Sequence, residues 1–458
     1  MKFVKKYFLH ASIFVFSFLI LTKFYFDPDL GLHLAYGNWF LDKGEVLRKD
    51  PFTWTVAGYV WVHSYFLYQI IVAYLFRHFG FTFVVILFGL ISALAVLIMM
   101  PKRITWPAYA ATFIGVRITI GGTGIRPHVF DFLLFSLLLV FLKRRLFEKT
   151  YFLPVWLLLF SAWVNLHGGY LIGFLVFVCY VILDSLKKRM DGEKIMLAII
   201  VFSIAAAWAG TLITPFGFNL GHALGDYKNL DVFLYIQEFQ PLIFFFPLNL
   251  LFAVSGIIFI YLVQKTDLGK DFPLMSLGLV LFALPFLVSF LVTFWAAYFI
   301  FVCVRYLEFN FRIRWSFLQM VPIIMAVFAV HLMFLDYFLS STWSLNEEIK
   351  INYPENAISF ISKNGLGAGL FNDLAWGGYI IWKHPEIKVF IDGRDGWRMK
   401  SGKSHLSEYI LLSSGHCDLL KTYDVRTALV KSSFKNNCFT NWKEVYTDSL
   451  AKVLVRPY

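Results

Sequence analysis

Charge is scarce in this chain. Asp, Glu, Lys and Arg make up only 15% of the 458 residues, against roughly 25% in an average soluble protein. With 59% hydrophobic residues and 53 Phe, that scarcity excludes an ordinary soluble fold, which cannot hide so much apolar surface from water. Cysteine is scarce as well, and four residues are too few to staple a disulfide scaffold. The sequence has no Walker-type phosphate loop, no His-Glu-x-x-His, no Cys-x-x-Cys and no nucleophile elbow, so soluble-nucleotide chemistry has no support. It shows no internal repeat and no low-complexity tract. The net charge of +12 does not signal nucleic acid, because the basic residues sit in short runs between apolar stretches, as in cytoplasmic loops of membrane proteins.

What the chain does have is long apolar runs. A membrane crossing needs roughly 20 such residues. Candidates lie at 7–25, 80–100, 104–120, 126–142, 151–166, 168–186, 195–213, 242–264, 273–290, 293–308 and 317–338, about 11 spans in all. The N-terminal run follows Lys2, Lys5 and Lys6 and lacks a small-residue cleavage site, so it reads as a retained first helix. The stretch 60–78 carries His63, Ser64, Gln69, Arg77 and His78, and fits either a span or an interfacial helix.

Positive charge separates these alternatives. If 60–78 does not span, the clusters at residues 2–6, 102–103, 143–149, 187–194, 265–270 and 305–314 share one side, eighteen Lys and Arg against seven opposite. If it spans, the clusters at 143–149 and 187–194 fall outside. The positive-inside rule favours the first arrangement, with the N-terminus cytoplasmic and the C-terminal segment outside. The expected fold class is therefore an α-helical polytopic membrane protein over residues 1–342, with a large first outer loop at 26–79. A small extracytoplasmic α/β domain follows at 343–458. Strands are expected at 368–371, 388–391 and 427–431, helices at 374–382 and 405–420, and a closing hairpin from 445–447 and 451–455. Cys417 and Cys438 lie in that domain and could pair in an oxidising compartment; Cys179 and Cys303 read as packing residues.

The polar motifs gather on the outward segments. Phe26-Asp27-Pro28-Asp29-Leu30-Gly31-Leu32-His33 places two carboxylates two residues apart where the first helix leaves the membrane. Close carboxylates repel, which suits a general base or a divalent cation beside a phosphate. A solvated helix end with Asp as cap explains the same spacing. Asp50-Pro51-Phe52-Thr53-Trp54 and Trp61-Val62-His63-Ser64 add aromatic residues and His63; these suit a sugar or a lipid head, or simply interfacial anchoring. Arg126 could grip a lipid phosphate, with His128 beside it, or snorkel while Arg117 pairs with Asp131. Asn165-Leu166-His167-Gly168-Gly169 breaks an apolar stretch as a cavity lining or as a plain turn. Glu238 ends the last long outer loop, and Phe390-Ile391-Asp392-Gly393-Arg394-Asp395 reads as a strand entering a charged turn.

The segments at 27–34 and 50–53, the large first outer loop, and Trp376-Gly377-Gly378-Tyr379 with Phe390-Ile391-Asp392-Gly393-Arg394 resemble the GT-C class of polytopic glycosyltransferases. The likeness is to bacterial relatives of the dolichyl-phosphate-mannose–protein mannosyltransferase type. This resemblance implies transfer of a sugar from a polyprenyl-phosphate carrier to a glycan, lipid or protein acceptor on the outer face of a bacterial inner membrane. It implies Asp29, with Asp27, as the catalytic pair. His33, His63, Arg126, His128, His167 and Glu238 are the expected substrate-binding residues. A divalent cation, Mg2+ or Mn2+, would sit at Asp27 and Asp29. Two departures stand out: Gly31-Leu32 replace the bulky aromatics usual before the motif's His, and no arginine stands near 294–301. A lipid-linked glycan transporter and a non-catalytic subunit of an envelope glycan assembly system are the alternatives.

Overall fold

The computed structural model describes residues 2–220, 235–307, 344–394, 399–400 and 403–457. The chain is mostly helical, with a small sheet near its C-terminus. Among the described residues, four helices are long and apolar enough to cross a membrane: Phe66–Ile98, Tyr170–Met190, Leu248–Lys265 and Ser289–Tyr306. The segments Tyr7–Leu21, Thr150–Leu166, Leu197–Thr211 and Phe272–Phe286 are apolar but shorter. Helix length therefore does not support the expected count of about 11 spans. Apolar windows run through helix stops that the backbone obeys; the Trp106–Ile118 helix, for example, gives way to a 3-10 turn at Thr119–Gly122. The expected span at 317–338 lies outside the described residues.

The ambiguous stretch 60–78 becomes helical at Phe66 and runs on to Ile98, broken at Gly80, where φ is 78°. That left-handed conformation is open to glycine at little cost. The expected first outer loop thus contains two helical stretches, the start of this helix and the Leu30–Lys43 helix.

The chain divides into two compact units. The first comprises Met1–Phe24, Val85–Thr214 and Glu238–Ser341. Its Val292–Tyr306 helix is buried on all sides from Val292 to Val304 and packs against Trp106–Ile118 and His128–Lys143. A helix apolar all round belongs in such a core. Leu158, Leu175, Phe202 and Ile257 point outward from their helices and are exposed, a surface that lipid would cover and water would not. The basic clusters at 143–149, 187–194 and 265–270 meet at one end of the unit. There Lys143, Lys187, Lys188 and Lys270 line a cavity of about 530 Å3 with Asp184 and Asp271. His128 stands at the opposite end of the His128–Lys143 helix.

The second unit comprises Tyr25–Val84, Pro215–Gln237 and Thr342–Tyr458. Its sheet contains β1 (Leu370–Asn372), β4 (Thr427–Lys431), β5 (Lys443–Thr447) and β6 (Ala451–Val455), in the order β1-β4-β6-β5; β2 (Met399–Lys400) and β3 (Lys403–Ser404) form a separate hairpin. β1 runs parallel to β4, and the β5–β6 hairpin closes the sheet antiparallel. The expected strand at 388–391 makes only an isolated bridge, Val389 to Thr53. Its backbone is satisfied instead by the Asn372 amide, whose Oδ1 accepts from the Phe390 N–H (2.8 Å) and whose Nδ2 donates to the Ile391 carbonyl (2.9 Å). The expected helix at 405–420 is two helices, His405–Ser413 and Asp418–Thr422, divided near Gly415 with φ 106°. Cys417 and Cys438 form a disulfide, while Cys303 is free and buried and Cys179 is free but exposed.

Candidate functional site

Pro28 lets the chain leave the first helix and turn at once into the next. Asp27 is buried, and its Oδ1 accepts from the Asp29 N–H at 3.0 Å, closing an Asx-type turn. Asp29 is exposed at the N-cap of Leu30–Lys43, yet its side chain caps no backbone N–H. A helix N-terminus favours a carboxylate through its dipole. Phe26 anchors the turn: its N–H donates to Glu348 Oε1 (3.2 Å) and its carbonyl accepts from the Tyr353 hydroxyl (2.8 Å). The two aspartates therefore differ in kind. Asp27 holds the turn, and Asp29 presents a carboxylate.

Glycines set how closely this turn packs. A Cβ on Gly393 would strike the Asp29 carboxylate, one on Gly378 the Pro28 carbonyl, and one on Gly31 the Gly378 carbonyl. Gly31, read in the sequence as a departure from the motif, has no room for the bulky residue it lacks.

Behind the turn lies a sealed ion cluster. Arg394 is 1% exposed. Its Nε donates to Asp392 Oδ1 (2.9 Å) and its Nη2 to Asp392 Oδ2, while Nη1 reaches the Tyr36 hydroxyl and lies 3.1 Å from Asp50 Oδ1. The guanidinium also stands over the Tyr36 and Trp61 rings, 5.2 and 5.3 Å from their centroids. Asp50 accepts from the Phe52 N–H and the Thr53 hydroxyl. Thus Asp50-Pro51-Phe52-Thr53 and Asp392-Gly393-Arg394, more than 300 residues apart, meet in one network. Burial alone would lower the Arg394 pKa, but Asp392, Tyr36 and Asp50 outweigh it and hold the group well above its ordinary value. The sequence reading singled out both segments but not their pairing, nor Tyr36. Asp395 lies outside the described residues.

His33 and His63 are both buried in this unit. His33 meets the Tyr65 and Tyr68 rings edge-on, and His63 packs among Trp61, Tyr65 and Phe216. Burial, with the charges of His33 and Arg394, pushes the His63 pKa well below 6.5. The unfolded chain then takes up a proton at His63 before the folded chain does. This contribution to stability is complete above about pH 6.5 and shrinks as pH falls below it. The melting temperature of the wild type should fall between pH 7.5 and 5.5, and His63→Gln should flatten that slope. An unchanged slope would remove His63 from the account.

The first unit gathers the other expected residues. Arg126 pairs with Glu238. Burial pushes the Glu238 carboxyl up, but Arg126 and His128 outweigh it, so its pKa lies below the usual range. His128 and Asp131 are one helical turn apart, and His167 enters from the turn between Leu153–Leu166 and Tyr170–Met190. Asp131, 1% exposed, accepts from Trp163 Nε1 at 2.7 Å and is paired with His167, with His128 Nδ1 3.6 Å away. Asp131 thus pairs with two histidines and a tryptophan rather than with Arg117. The sequence reading missed its role, although the His-x-x-Asp spacing on one helix face was the available signal. His128, Asp131 and His167 are the one group of three potential metal ligands among the described residues; Asp27 and Asp29 belong to none.

These features define a mostly helical protein with helices suited to a membrane and a polar centre within each unit. No protein-family model matches the chain, and no curated protein matches it in sequence.

Proposed function

We propose that this chain is a multi-pass membrane glycosyltransferase of the GT-C type, moving a sugar from a polyprenyl-phosphate carrier to an acceptor on the outer face of a bacterial inner membrane. One observation carries the reading: Asp29 is exposed at a helix N-terminus, while its neighbour Asp27 is buried and holds the turn. Asp29 takes the proton from the acceptor hydroxyl as that oxygen attacks the sugar and the carrier phosphate leaves. An exposed carboxylate is accessible to an acceptor hydroxyl; a buried one is not.

Three further observations support the placement. Segments that the charge count assigns to the outer side, within 26–79, 214–241 and 343–458, contribute to one compact unit. The basic loops assigned to the inner side meet at the end of the first unit opposite His128. The Cys417–Cys438 disulfide suits an oxidising compartment.

The test uses the purified full chain in lipid vesicles, a radiolabelled polyprenyl-phosphate sugar, and washed envelope material as acceptor. Asp29→Asn and Asp29→Ala should each lower transfer by about 10²–10⁴-fold with the melting temperature unchanged. Full rates in both variants would overturn the assignment.

A further inference from the structure

We infer that His128, Asp131 and His167 form a binding site for one divalent transition-metal ion, with Zn2+ the first to try. One ligand atom from each residue lies within 4.8 Å of the others. The His128 Nδ1 to Asp131 Oδ2 distance of 3.6 Å is near the roughly 3.3 Å that separates two ligands on a tetrahedral ion with 2.0–2.1 Å bonds. The two imidazole rings lie 4.2 Å apart between centroids and His167 is already paired directly with Asp131, so a small rearrangement, with His128 drawing in and His167 easing back, places three ligands around one ion.

The donor set selects the class of metal. Two imidazole nitrogens and one carboxylate suit Zn2+ and its transition-metal neighbours, whereas Mg2+ and Ca2+ prefer an all-oxygen shell. Three protein ligands leave at least one position open, the mark of a reactive rather than a structural zinc site. The surroundings are built to hold the carboxylate. Trp163 Nε1 donates to Asp131 Oδ1, which leaves the carboxylate's other oxygen facing both histidines. Asp131 also rests against Gly169, where any Cβ would strike the carboxylate. A carboxylate this deeply buried requires positive charge beside it. Two imidazoles and the Trp163 Nε1–H stand against the carboxylate in this structure, and a divalent ion would supply the positive charge directly. The inference stands apart from the sugar-transfer proposal, because it concerns only binding within the first unit.

The experiment is metal loading of the purified full chain in detergent, after stripping with a chelator. Zn2+ is added and dialysed, and bound metal is measured by mass spectrometry. Co2+ in place of Zn2+ reports coordination by its visible absorption. The wild type should retain about one Zn2+ per chain and give the intense spectrum of four- or five-coordinate Co2+. His167→Ala and His128→Ala should weaken binding at least about tenfold. Asp131→Asn keeps an acceptor for Trp163, so it should lose affinity without losing the fold. A wild type that retains no Zn2+ and gives only the weak spectrum of hydrated Co2+ would overturn the inference. So would histidine variants that bind as tightly as the wild type. If the alanine variants fail to fold, the wild-type stoichiometry and spectrum, with Asp131→Asn, still decide.

Discussion

Arg394→Met is expected to destabilise the second unit by about 3–5 kcal/mol, the usual cost of removing one partner from a buried charge pair. The size follows from what remains. Asp392 and Asp50 are both buried and both direct carboxylate oxygens at Arg394. Without the guanidinium the two carboxylates lose their shared cation in a low-dielectric interior, and the Tyr36 hydroxyl loses one hydrogen bond. Asp50 keeps its bonds from Phe52 and Thr53, so most of the strain falls on Asp392. The double variant Asp392→Asn/Arg394→Met should therefore recover part of the loss. An asparagine removes the charge yet still accepts from the residue-394 N–H, which donates to Asp392 Oδ1 at 2.9 Å. Thermal melting of the purified chain in detergent checks both. A single variant as stable as the wild type, or a double variant less stable than the single, would show that the cluster carries no such charge.

The parts of this architecture legible in the sequence are those written locally. Apolar runs mark the helices, and short β-type runs mark β4 and the β5–β6 hairpin. The segment at 388–391 looks like a strand because its composition is that of one. Its partners, an amide on the neighbouring strand β1 and the remote 52–54 backbone, cannot be seen from the segment itself. The same holds for the polar centres. Asp50, Asp392 and Arg394 each stand in a segment that invites notice, but their union across more than 300 residues is a tertiary fact. Arg126, His128, His167 and Glu238 were each weighed as candidates on local grounds. Asp131, which ties the two histidines together, was set aside as a partner for Arg117 because sequence shows no direction for a side chain. The span count went beyond what the described helices support for a related reason. Windows of hydrophobicity do not register where a helix ends, and several helices end before reaching the length of a crossing.

Gly31→Ala is the most discriminating change in the second unit, because two effects of opposite sign compete there. Gly31 sits within the Leu30–Lys43 helix. On helix propensity alone, alanine should add about 1 kcal/mol of stability. Packing opposes it. The new Cβ would overlap the Gly378 carbonyl, and Gly378 in turn lies against the Pro28 carbonyl. Backbone cannot swing aside as a flexible side chain can, so overpacking should cost about 1–3 kcal/mol before any propensity gain. Gly31→Val adds a second methyl and a stiff rotamer, and should cost more. A glycine with room serves as the control: a Cβ on Gly367 would make only ordinary contacts with Ile387 at 3.6 Å, so Gly367→Ala should stay within about 0.5 kcal/mol of the wild type. Because Asp29 lies two residues before Gly31 and touches Gly393, forcing these backbones apart should also disturb the exposed Asp29 carboxylate. The melting temperature of Gly31→Ala decides the matter: a value below the wild type means that glycine here is demanded by the close approach of two backbones, and a value above it means that the helix merely tolerates it.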